Sequence, residues 1–136
     1  MEPIESKPTS IVSAVRAIYL ASVVGFTAAA TWLAMGAGRE LPLPVAAFFL
    51  PSLLYQFGIP ALLAYGISTR KGWARIIYVV LTVPGVLLGV LNWILEFQKI
   101  PVLVSIDVIL TVVQIYALYL LFTRSSNRWF KQARAA

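Results

Sequence analysis

The sequence predicts an all-α polytopic membrane protein: an antiparallel four-helix transmembrane bundle with both termini cytoplasmic. Three observations predict it. The chain is 60% hydrophobic and only 12% charged over 136 residues, with mean hydropathy +0.87. A soluble domain carries about 25% charged residues, so this chain has too little polar surface to cover a globule. Four apolar runs, each long enough for a bilayer crossing, follow one another with short polar connections. The basic residues between the runs fall unevenly on two alternating sides. One domain, residues 1–136, is expected, with spans at about 14–36, 43–67, 75–95 and 101–123 and a basic cytoplasmic tail at 124–136.

Residues 1–10 are polar and carry two prolines, which reads as a short tail. Thr9 or Ser10 is the expected helix N-cap. The first run holds 22 uncharged residues between Arg16 and Arg39. A secretory signal with a cleavage site at Ala28, Ala29 and Ala30 competes with the span reading. Ala17, Ala21, Gly25 and Ala28 form a small-residue stripe that invites close approach of a neighbouring helix. The second run lies among 29 uncharged residues between Glu40 and Arg70. Pro51 and Pro60 interrupt it and predict kinks, with Gln56 between them near mid-membrane. The third run has 20 uncharged residues, Ile76 to Leu95. The turn Phe97 to Pro101 is tight, so the third and fourth helices are expected to be antiparallel neighbours. In the fourth run only Asp107 is charged.

With four spans, nine basic residues fall on the side of the termini: Lys7, Arg16, Arg70, Lys71, Arg75, Arg124, Arg128, Lys131 and Arg134. Only Arg39 and Lys99 fall on the other. The connections are short, so the positive-inside rule applies and the termini are placed in the cytoplasm of a bacterial inner membrane. Trp32 and Trp93 then fall near the outer interface, and Trp73 and Trp129 near the inner one. Trp129 and Phe130 are expected in the headgroup region. The net charge of +6 is a topology signal with attraction for anionic lipid, and nucleic acid is not an expected partner.

Cysteine and histidine are absent. Thiolate nucleophiles, His-based triads and most zinc, haem and iron–sulfur ligation are therefore excluded. The acids are Glu2, Glu5, Glu40, Glu96 and Asp107, and no pair of them forms a recognisable metal motif. No phosphate-cradling glycine loop is present, so neither a cofactor nor an enzymatic activity is expected.

The polar residues of the spans are the candidates for function. On the third helix Gly85, Gly89, Asn92 and Glu96 share a face, and on the fourth Asp107, Thr111 and Gln114 share another. Folding the hairpin puts Asn92 level with Asp107, Gly89 near Thr111 and Gly85 near Gln114. The bland account is packing: glycines allow close approach while amides and the hydroxyl form interhelical hydrogen bonds. The functional account makes Asp107, Asn92, Glu96, Thr111, Gln114 and Gln56 one outward-facing polar site, because an ionisable group inside a span is costly to keep. A salt bridge from Asp107 to Lys99 or Arg39 is the other arrangement open to it. Arg39, Glu40, Glu96 and Lys99 form a charged periplasmic rim that is a candidate docking surface.

The stretch Ala117 to Phe130, ALYLLFTRSSNRWF, resembles the end of small four-span bacterial inner-membrane proteins: an apolar helix, Phe-Thr, a polar step and Trp-Phe. In size and span number the chain is similar to four-span immunity proteins, of the pseudomonad colicin-M type, that protect bacteria from bacteriocins acting at the periplasmic face. That resemblance implies a periplasmic protein partner or toxin, and no residue is carried over from it. The first span lacks the embedded Glu of small multidrug resistance transporters.

Two functions are therefore expected to compete. One is a non-enzymatic interaction protein that presents its rim to a partner, toxin immunity being its concrete form. The other is a small transporter or lipid-handling protein that uses Asp107 in its polar site. No internal repeat supports alternating access, and a homodimer would supply one. An embedded enzyme comes third.

Overall fold

The computed structural model describes residues 6–37, 51–96 and 101–135. All of their regular structure is helical. Helix α1 is Thr9–Trp32, continued by a π turn at Leu33–Ala37. Helical residues 51–53 lead through a second π turn, Leu54–Gly58, into α2, Ile59–Ser68. Helices α3, Gly72–Glu96, and α4, Pro101–Leu121, follow, and α5 is Arg124–Ala135. Among the described residues three helices are long and apolar enough to cross a membrane, over Thr9–Met35, Gly72–Leu91 and Val104–Leu121.

The first helix starts earlier than expected, and neither Thr9 nor Ser10 caps it. Pro8, with φ −60° and ψ 142°, is the capping residue, and its carbonyl accepts from the Ile11 and Val12 amides at 3.0 and 3.2 Å. A proline ring fixes φ and so breaks the incoming chain away from the helix without help from a side chain. The hydroxyl of Ser10 is used elsewhere, sharing hydrogen bonds with Ser126 at 2.9 Å and Ser125 at 3.1 Å.

Pro60 explains the wide turn ahead of α2. It has no N–H to offer the carbonyl one turn back, at Gln56, and the chain takes a π turn across Leu54–Gly58 there. Helix continues from residue 51 to residue 68, so Pro60 reshapes this run without ending it, and the kink expected at Pro51 falls at the edge of the described residues. Pro84 sits inside α3 in the same way, with helix on both sides.

Helix α4 packs most extensively against α1, not against its hairpin partner α3. Helix α1 also packs on α2, and α2 on α3. The small-residue stripe of α1 is used at Gly25, where an added Cβ would overlap the Phe57 ring. A second close approach was not expected: a Cβ on Gly66 of α2 would stand 2.9 Å from the Cβ of Ala74 on α3. The turn between these two helices is a Schellman motif. The Lys71 amide donates to the Gly66 carbonyl at 3.0 Å and the Arg70 amide to that of Ile67 at 3.2 Å. Arg70 takes the left-handed position, φ 64°, that glycine usually fills.

The apolar core lies at the end that carries the basic residues. Each helix supplies it: Ile11 and Ile18 from α1, Ile67 from α2, Tyr78 from α3, Leu121 from α4 and Trp129 from α5. Outer faces are left bare. Leu20, Leu62, Leu87 and Ile109 are 62%, 71%, 64% and 63% exposed. Only 11% of the Gly72–Leu91 span and 17% of Val104–Leu121 are buried. Apolar surface of that extent is rare on a monomer that faces water.

The C-terminal segment corrects a further expectation. The basic tail is an amphipathic helix, and Trp129 and Phe130, expected in the headgroup region, do not reach outward. They are 2% and 4% exposed and close the base of the core. Ser126, Trp129 and Phe130 fall at helical spacing on the buried face, and Arg124, Arg128 and Lys131 are exposed. Two cations lie over rings at this end: Arg70 is 4.9 Å from the Trp129 ring centroid, and Arg75 of α3 is 4.8 Å from those of Phe130 and of Phe122, just ahead of α5. Such contacts favour a buried ring beneath a basic surface.

Candidate functional site

Beyond the core, α3 and α4 part around a cavity of about 620 Å³. The segment leading into α2 forms its third wall. Four of the polar residues singled out in the sequence line it together: Gln56, Asp107, Thr111 and Gln114. The α4 positions 107, 110, 111 and 114 recur at helical spacing, so one face of that helix is the wall. Gln56 comes from the π turn, where the widened backbone swings its side chain to the same space. Thr111 is buried, and Asp107 and Gln114 are half-buried.

The opposite wall is built from α3, including Thr82, Gly85, Val86 and Gly89. The glycines do not let the two helices touch. A Cβ on Gly85 or on Gly89 would meet nothing within 4 Å. The close-approach reading is therefore corrected: these glycines leave room where side chains would fill the cavity. The hairpin arms are fastened on either side of it instead. On the core side Arg75 Nη1 donates to Asn127 Oδ1 at 2.6 Å and to the Leu121 carbonyl at 3.3 Å. On the far side Trp93 Nε1 donates to Asp107 Oδ2 at 2.6 Å.

Trp93 is the residue whose hydrogen-bonding role the sequence reading did not single out. Its signal was present, since 85, 89 and 93 are spaced by four and share a helix face. An aromatic ring near the end of an apolar run reads first as an interface anchor, and its N–H is matched to Asp107 only once the two helices are seen side by side. Thr82, Ser52 and Tyr55 are further polar liners that the sequence did not single out.

Asn92 and Glu96 lie on α3, but their side chains are outside the described residues, as are Arg39, Glu40 and Lys99 of the expected rim. The partner of Asp107 among the described residues is Trp93.

The lining mixes apolar side chains such as Leu81, Leu88 and Leu110 with a few convergent polar groups. Small-molecule sites have this volume and this composition, at roughly 300–1,000 Å³. Among the described residues the site holds hydrogen-bond acceptors and donors beside one carboxylate. Comparison of the chain with protein-family models, with curated proteins and with solved structures finds no match.

Proposed function

We propose that the chain is a non-enzymatic, multi-span protein of the bacterial inner membrane that binds an amphipathic small molecule in this cavity, in the service of transport or lipid handling. The observation that carries the reading is the convergence of Gln56, Asp107, Thr111 and Gln114 on one cavity between helices with bare apolar outer faces. A polar patch on an apolar wall suits a molecule with a head and a tail.

The second apolar run serves as the fourth span, and the basic end faces the cytoplasm. Support comes from the joining of residues 7–10, 68, 75 and 121–127 at one end, as a fourfold crossing requires: Lys7 Nζ reaches the Ser68 carbonyl at 3.0 Å, and Ser10 meets Ser126. Asp107 then sits toward the periplasmic side. The docking rim at Arg39, Glu40, Glu96 and Lys99, with its toxin or other periplasmic protein partner, rests on the sequence alone, so the cavity is the reading preferred here.

Native mass spectrometry on the protein released from detergent micelles tests the proposal. The wild type is expected to retain an amphiphile carried from the membrane. Gly89→Leu, which fills the space above α3, is expected to lose it. Equal retention by the two proteins would remove the cavity from consideration.

A further inference from the structure

We propose that the cavity selects a cationic amphiphile, an ammonium-bearing head with a single apolar tail, and that the head docks on the carboxylate of Asp107. This inference rests on the cavity-binding reading and adds the charge of the ligand to it.

Among the described residues the lining carries one acid and no base. Its other polar members, Gln56, Gln114, Thr82, Thr111, Ser52 and Tyr55, are all neutral. Among the described residues no cation pairs with Asp107, and its hydrogen-bond partner is the Trp93 indole, bound through Oδ2. A carboxylate has about four lone-pair sites, so one N–H leaves acceptor capacity for a ligand. An ionised group among apolar walls is costly without a counter-charge, and an incoming cation supplies it. An anionic head would meet the same carboxylate as repulsion.

Two more features favour an organic cation over a metal ion or a lone proton. The cavity, about 620 Å³, far exceeds the roughly 30 Å³ that one water occupies in the liquid. Its walls also include the rings of Tyr55 and Phe57 and the side chains of Leu81, Leu88 and Leu110. Aromatic faces attract ammonium groups, and the leucines accommodate a tail.

Isothermal titration of the detergent-solubilised protein with three eight-carbon probes distinguishes the parts of the argument: octyltrimethylammonium, octanol and octyl sulfate. For the wild type we expect the ammonium to bind about 10- to 100-fold more tightly than octanol, the range set by one charge-assisted contact, with the sulfate weakest. Asp107→Asn should bring the ammonium down to the level of octanol. The Asn carbonyl oxygen can still accept from Trp93, so the helix pairing is kept. Asp107→Glu should restore the preference. Gly89→Leu and Gly85→Leu should weaken all three probes together. Equal binding of ammonium and octanol by the wild type, with the leucine variants still blocking both, would overturn the charge inference and leave the cavity reading standing. Undiminished binding of every probe by both leucine variants, folded by circular dichroism, would overturn the cavity reading with it.

Discussion

Trp93 and Asp107 join α3 to α4 through an N–H···O bond of 2.6 Å, at the side of the cavity away from the core. The arms of the hairpin are apart along the glycine face, so among the described residues this bond is the tie on that side, as Arg75 is on the other. Trp93→Phe removes the donor and keeps most of the ring. We expect a loss of about 1–2 kcal/mol, at the lower part of the range for a bond to a charged group because both partners are half-buried. Unfolding by denaturing detergent measures it. A double-mutant cycle with Asp107→Ala should return a coupling of about 0.5–2 kcal/mol. Strict additivity would show that the bond contributes nothing to holding the arms.

The glycines divide into two classes with opposite expected effects. A Cβ added at Gly66 would stand 2.9 Å from the Cβ of Ala74, and that atom is fixed to the α3 backbone. Gly66→Ala must therefore push two helices apart, at a cost of about 1–3 kcal/mol. Gly85 has open space above it. Gly85→Ala gains helix propensity with no clash and should stabilise by up to about 1 kcal/mol. Gly25 lies between these cases, since its neighbour is the far edge of the Phe57 ring, which can swing aside. Comparing the three alanine variants in one unfolding assay checks the order: Gly85→Ala most stable, Gly66→Ala least.

These glycines also show what could and could not be read from the sequence. Periodicity correctly put Asp107, Thr111 and Gln114 on one face and drew in Gln56, and all four line the cavity. It could not say whether a face with Gly85 and Gly89 is pressed against a neighbour or held away from it. That depends on which helix stands opposite, and α4 turns its larger contact to α1. Trp93 and Trp129 were assigned to interfaces for the same reason. A ring near a span end suits a headgroup layer equally well until the helix it meets is known. The amphipathic face of α5 was present in the spacing of Ser126, Trp129 and Phe130, but only the base of the bundle gives it something to cover.

Arg70 holds a left-handed backbone, φ 64°, in the turn between α2 and α3. For a residue with a Cβ this costs roughly 1–2 kcal/mol. Its guanidinium lies 4.9 Å from the centre of the Trp129 ring, a contact worth about 0.5–1 kcal/mol where partly exposed. Arg70→Gly removes both terms and should change stability little. Arg70→Ala keeps the strain and loses the contact, so it should fall below the glycine variant by about 1 kcal/mol. Thermal unfolding of the pair reads the difference directly, and an alanine variant as stable as the glycine one would mean the backbone strain is absent.

Arg75 separates charge from shape at the basic end. Under the proposed four-span arrangement it is one of nine cations on its side, and for topology a lysine would serve equally. Its structural contacts need a planar fork. Nη1 reaches Asn127 Oδ1 and the Leu121 carbonyl, while the guanidinium carbon lies 4.8 Å from the ring centres of Phe122 and of Phe130. An ammonium on a flexible stem cannot stack on two rings and bridge two oxygens at once. Arg75→Lys should therefore leave the side of the C-terminus unchanged in a reporter fusion but lower stability by about 2 kcal/mol, the sum of a charge-assisted bond and a partly desolvated cation–π contact. The loss should appear first in α5, as faster hydrogen exchange across Arg124–Ala135, because Asn127 and Phe130 are what Arg75 holds. Wild-type exchange in that helix would mean that the apolar burial of Trp129 and Phe130 alone keeps it in place.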